Sequence, residues 1–229
     1  MPTPSTSLWE RYRTVAETRP EHSATIDEHG TAVTHGQLLA RAERTAGGLV
    51  RSGLQPGDHL GVFLPNRHTW LVAALAGARA GIGILGLNTR FRATELDHLL
   101  TVAEVGTVLV ADRFLGIDGP AILASLRRRP RALIDGEPGS TPDDGTTLAW
   151  AEIEADTATP DRTPSRQPTP ADPAIGFTTS GTTGQPKIAM HTGAQTVAQL
   201  DAVIDSFGLD GSTVALVPLP LCGAFGYTV

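Results

Sequence analysis

Residues 178–187 read Thr-Thr-Ser-Gly-Thr-Thr-Gly-Gln-Pro-Lys, a stretch that concentrates hydroxyls, two glycines and one cation. Gly181 and Gly184 let the backbone bring amide N–H groups close to an anion. The hydroxyls of Thr179, Ser180, Thr182 and Thr183 and the ammonium of Lys187 add donors and positive charge. A polyphosphate is the natural guest. Of the eighteen basic residues seventeen are arginine, so Lys187 is the only lysine. It places a compact charge on a flexible stem in a chain that elsewhere uses the rigid guanidinium fork. The stretch is not a Walker-type loop. Counting from Gly181, that motif asks for Gly, Lys and then Ser or Thr, where this chain has Pro186, Lys187 and Ile188.

These residues need a scaffold to aim them. Residues 174–178 read as a strand running straight into the loop, and the alternation of Ile188 and Met190 with Ala189 and His191 reads as a second strand leaving it. The loop is therefore expected to join strand to strand. Helical spacing returns with Val197, Leu200, Val203, Ile204 and Phe207, stopped by Gly208. Upstream, Leu38, Leu39, Ala42, Ala46, Leu49 and Val50 mark a helix opened by a Thr34/Gln37 capping box and stopped by Gly53. A strand follows at 59–64, and a helix starts near Arg67. The apolar stretch 71–87 reads as a buried helix, turn and strand because Arg79 and four glycines interrupt it. Further elements are expected as a helix through Leu96, Leu99, Leu100 and Ala103, a strand at 107–111, a helix at 121–128 and a strand at 131–134. Residues 24–26 and 31–33 form a small hairpin. Strands alternating with helices predict an α/β fold with mostly parallel sheets flanked by helices.

Residues 156–173 carry five prolines among Thr, Asp, Arg and Ser, which predicts a linker. It divides an N-terminal α/β subdomain, 1–155, from the start of a second one, 174–229. A net charge of −6 with scattered basic residues leaves no footprint for nucleic acid or an anionic membrane, so small molecules or another protein are the expected partners. Cys222 is the single cysteine, which excludes an internal disulfide and points to a reducing, cytoplasmic setting. The seven histidines show no metal-ligand spacing and read as solvated or capping residues, and no metal site is expected within the chain.

Residues 179–187 match the nucleotide-binding signature Thr-Ser-Gly-Ser/Thr-Thr-Gly-x-Pro-Lys, and the chain thereby resembles the AMP-forming acyl-CoA synthetase and adenylation superfamily. Residues 74–100, with Ala78-Arg79-Ala80-Gly81, Leu87-Asn88-Thr89-Arg90 and Glu95-Leu96, are similar to an earlier signature of that family. Residues 218–223 resemble the stretch that enters its acid pocket. The resemblance implies ATP-dependent activation of a fatty or aryl carboxylic acid through an acyl-adenylate, with Mg²⁺ as the nucleotide's ion and CoA as the acceptor. It implies that Thr179, Ser180, Gly181, Thr182, Thr183, Gly184 and Lys187 hold the phosphates, and that Cys222, Gly223 and Phe225 line the acid pocket. None of these is a nucleophile.

Two departures stand out: Ile188 where glycine commonly follows the loop lysine, and Gly223 where the pocket motif often has histidine. The later signatures of the family have no match, and the chain closes on an apolar run, 219–229. The expectation is an incomplete piece of the large N-terminal domain of such a ligase, prone to association through that apolar end. The alternative is a non-catalytic nucleotide-binding remnant, or a split fragment that needs a partner.

Overall fold

Helix α1 (Leu8–Thr18) opens with a reciprocal cap: the Ser7 hydroxyl accepts the Glu10 N–H, and the Glu10 carboxylate accepts the Ser7 N–H. The hairpin of β1 (Ser23–Ile26) and β2 (Ala32–Thr34) leads into α2 (His35–Arg51), where Thr34 and Gln37 make the same cap. Strand β3 (His59–Phe63) is followed by α3 (His68–Ala80). Gly81 ends that helix at φ 72°, a left-handed conformation that a side chain resists, and β4 (Gly83–Gly86) starts two residues later. Next come α4 (Ala93–Val102), β5 (Thr107–Ala111), a short hairpin of β6 (Arg113–Phe114) and β7 (Ile117–Asp118), α5 (Gly119–Ala124), β8 (Arg131–Asp135), β9 (Thr147–Ala149) and α6 (Trp150–Ala155). The chain closes with β10 (Pro173–Thr179), β11 (Lys187–Thr192), α7 (Gly193–Phe207) and α8 (Ala224–Thr228). This computed structural model describes residues 6–136, 146–155, 166–179 and 186–228.

Seven strands form one sheet in the order β11-β10-β4-β3-β5-β8-β9, parallel throughout except for the β10–β11 pair. Both faces are covered. On one, Leu60, Val62, Ile84, Leu109, Leu133 and Ile175 pack with Trp70, Leu38, Leu49 and Val197 of the flanking helices. On the other, Leu85, Val108, Val110 and Ile134 meet Leu96, Leu99, Leu100 and Leu123. Burial on both faces explains why the central strands read as continuous apolar runs.

The expected division into two subdomains does not describe this sheet. β10 pairs in parallel with β4, Ile175 against Ile84 and Gly176 against Leu85, so strands from both sides of 156–173 belong to one layer. Part of the expected linker, 156–165, lies outside the described residues, and the remainder is fastened down. Asp172 takes two hydrogen bonds from the Arg166 guanidinium, 2.9 and 2.6 Å, and accepts the Thr169 N–H at 2.8 Å. The Pro170 and Asp172 carbonyls accept N–H groups of Ala194 and Gly193 at the start of α7. Helix α5 is also shorter than expected: the Asp118 carboxylate caps its start, and it ends at Ala124, ahead of the arginine run.

Candidate active site at the carboxyl edge of the sheet

Open parallel sheets bind ligands beyond the carboxyl ends of their strands, where backbone groups and connecting loops converge. Here that edge is made by Phe63, Gly86, Ala111, Asp135 and Thr179, the last residues of β3, β4, β5, β8 and β10. Polar groups gather along it. Asp135 is bridged by Arg67 at 2.9 Å and accepts the Thr69 hydroxyl at 3.2 Å, which fixes the start of α3 against the sheet. Asn66, just past β3, donates to the Leu219 carbonyl and accepts the Leu221 N–H, both at 2.9 Å.

The connection between β10 and β11 is rooted on this edge. Thr179 faces Lys187 across the antiparallel β10–β11 ladder, so the connection leaves and re-enters the sheet at one point. Lys187 is exposed, and no described residue forms an ion pair with it. Two residues that the family signature marks, Thr179 and Lys187, are thus placed together. Ser180, Gly181, Thr182, Thr183 and Gly184 lie outside the described residues. An exposed ammonium beside an exposed threonine suits a polyphosphate. Among the described residues no group of three or more His, Cys, Asp or Glu gathers that could hold a metal ion.

The turn containing Cys222, Gly223 and Phe225 crosses the end of β4, the strand next to β10. Cys222 is buried directly over Gly86: a Cβ added at 86 would stand 2.9 Å from the Cys222 Cα and carbonyl oxygen. Burial pushes the Cys222 thiol above its ordinary range, so it packs as a neutral group. Gly223 is half-buried, whereas the Phe225 ring is 64% exposed. Tyr227 of α8 stacks at 5.3 Å on Trp70 and 5.9 Å on Phe177, which holds this turn to the core.

Two depressions occur among the described residues. An apolar recess of ≈ 10 Å³ between Phe63, Ala111 and Phe114 has room for about one water molecule and no substrate. A groove of ≈ 400 Å³ runs along α4 between Asp97, His98, Arg127 and Arg128. Sequence reasoning missed His98. Its Nε2 lies 3.0 Å from the Pro186 carbonyl oxygen, a contact across 88 positions that no local pattern encodes. No described helix is long and apolar enough to cross a membrane.

The fold has counterparts among known proteins. The chain is 34% identical to a salicylyl-CoA synthase / salicylate adenylyltransferase of Streptomyces sp, over 90% of this chain and 38% of that protein. It is 31% identical to the salicyl-AMP ligase / salicyl-S-ArCP synthetase of Mycobacterium tuberculosis, over 72% of this chain and 28% of that one. The apo structure of Mycobacterium smegmatis MbtA superposes with a TM-score of 0.84 at 30% identity, covering 97% of this chain and 40% of that chain. The chain therefore spans about two fifths or less of the length of these relatives. The model of the family described as AMP-binding enzyme matches residues 12–229, and this chain belongs to that family.

Proposed function

We propose that this chain supplies the nucleotide-phosphate and acid-entry parts of an ATP-dependent ligase that activates an aryl or fatty carboxylic acid as its acyl-adenylate. The observation that carries the reading is the shared edge. The roots of the 179–187 loop and the 222–225 turn stand on adjacent strands, β10 and β4, and both face the carboxyl side of the sheet. A triphosphate held at the loop would lie beside an acid entering past the turn. In the reaction the carboxylate attacks the α-phosphate and the bond to pyrophosphate breaks. Negative charge then builds on phosphate oxygens, where fixed N–H donors and the Lys187 ammonium stabilise it. Ser180, Gly181, Thr182, Thr183 and Gly184 complete the cradle in this reading.

Mg²⁺ would arrive as the counter-ion of ATP and neutralise phosphate charge there. Gly223 and Phe225 form part of the acid-pocket wall, with the exposed Phe225 ring as the surface offered to an aryl or acyl group. CoA is the proposed acceptor, and a carrier-protein thiol is the alternative favoured by the name of the mycobacterial relative.

The test is ATP binding to the 229-residue chain and to Lys187→Ala by titration calorimetry. One charge-assisted hydrogen bond to phosphate is worth about 1.5–3 kcal/mol, so affinity should fall about tenfold or more. Equal affinity would remove the loop assignment. Acid-dependent exchange of labelled pyrophosphate into ATP then separates a catalytic chain from the non-catalytic alternative.

A further inference from the structure

We propose that His98 is a positioning residue for the phosphate loop: from α4 it donates its Nε2–H to the Pro186 carbonyl and thereby sets where Lys187 starts. The inference rests on the reading of 179–187 as a triphosphate cradle. The distance is 3.0 Å, and because a carbonyl only accepts, the imidazole proton must reside on Nε2. Three features make this contact a firm anchor. His98 sits on α4 between Leu96 and Leu99, both fully buried against the sheet, so its backbone is held by the core. Pro186 has no N–H, and its carbonyl is the backbone group immediately ahead of the lysine. One residue past the lysine, Ile188 packs against the same helical layer, so the returning arm of the loop is fastened on both sides of Lys187.

The other arm is fixed by β10, which lies between β4 and β11 in the sheet. With the carbonyl just ahead of it held, Lys187 has less freedom to lose when its ammonium meets an anion, and that saving appears as affinity. Removing the His98 bond frees one end. A single neutral hydrogen bond is worth about a two- to tenfold change in an equilibrium, and nucleotide affinity should weaken by that factor.

Because Lys187 is the only lysine, a lysine-specific endoprotease can cut the chain at one place, and the cutting rate reports the freedom of that place directly. The comparison uses wild type, His98→Ala, His98→Leu, which keeps volume without a donor, and His98→Gln, whose amide nitrogen reaches about as far as Nε2. Without nucleotide, His98→Ala and His98→Leu should be cut about two- to tenfold faster than wild type. His98→Gln should return towards the wild-type rate, while all four chains keep similar melting midpoints. With magnesium-ATP, the half-protecting concentration should rise by a similar factor in the two donor-less variants. Should His98→Ala fail to fold, His98→Leu against His98→Gln carries the comparison. Equal cutting of wild type and the donor-less variants, or no rescue by glutamine, overturns the role of His98. Failure of ATP to protect wild-type Lys187, with the cutting order intact, overturns the nucleotide reading and leaves the anchor standing.

Discussion

Replacing Gly86 by alanine should expose Cys222. The added Cβ would stand 2.9 Å from the Cys222 Cα and carbonyl oxygen and 3.2 Å from its Cβ, where carbon atoms prefer about 3.5–4.0 Å. About 0.5–1 Å must be found. Gly86 belongs to the central strand β4 and is paired with Val62, so the yielding partner is the turn at 220–226. Overpacking of this size costs about 1–3 kcal/mol. If the strain is released when that turn lifts, the opened population grows about 5- to 150-fold, at 1.4 kcal/mol per factor of ten. Cys222 is the only cysteine and is 6% exposed, so its reaction rate with a disulfide reagent reads that population. Gly106→Ala is the control, because nothing lies within 4 Å of the position its Cβ would take. The reasoning fails if Gly86→Ala labels at the wild-type rate while its melting midpoint is unchanged, or if Gly106→Ala accelerates labelling equally.

Two further expectations concern the scaffold. At Gly48 a Cβ would meet the Ile153 carbonyl oxygen at 2.1 Å, forcing α6 off α2. A clash with backbone puts the overpacking cost at the upper end of about 1–3 kcal/mol, so after the roughly 1 kcal/mol that alanine gains over glycine in a helix about 2 kcal/mol is lost; thermal melting of Gly48→Ala should fall by about 4–8 °C, and a rise would refute the packing. At Asp172, burial opposes the charge, but the Arg166 and Thr169 hydrogen bonds prevail and hold the carboxyl below the usual carboxylate range. Its folded pKa is thus below its unfolded one, so its stabilisation is present above about pH 4 and is lost as acid titrates the folded state. Asp172→Asn should be less stable to urea at neutral pH and lose less on acidification; a curve parallel to wild type from pH 7 to 3 would contradict this.

Local chemistry was legible and long-range pairing was not. The Thr34/Gln37 cap, the Gly53 and Gly208 stops and the strand that enters the 179–187 loop all follow from residues a few positions apart, and the structure places them where spacing does. The Ser7/Glu10 cap of α1 has the same form and was open to reading, yet its helix has few apolar anchors, Leu8, Trp9 and Ala16. Helix α6 escaped because six residues make fewer than two turns, too few for a pattern to repeat, and it is held from outside by Arg41 on Glu154 and by Trp150 in the core. The proline-rich composition of 156–173 suggested a boundary, but sheet membership depends on β10 finding β4, which no local composition reports. Part of the candidate site was legible for the same reason as the caps: glycines, hydroxyls and a lysine are consecutive. His98 reads in sequence as a solvated or capping residue because its partner carbonyl is remote in sequence.

The ladder that brings Thr179 opposite Lys187 also limits how this segment can vary. Side chains alternate along a strand, so the outward place of Lys187 and the packed place of Ile188 have opposite parity. Slippage of β11 by a single position would send the ammonium towards α4 and the isoleucine into solvent. Insertions between the two strands must therefore be absorbed as a bulge within the connection. The departure from glycine at 188 then becomes intelligible: an apolar side chain there acts as a ratchet tooth, penalising every odd displacement of the lysine.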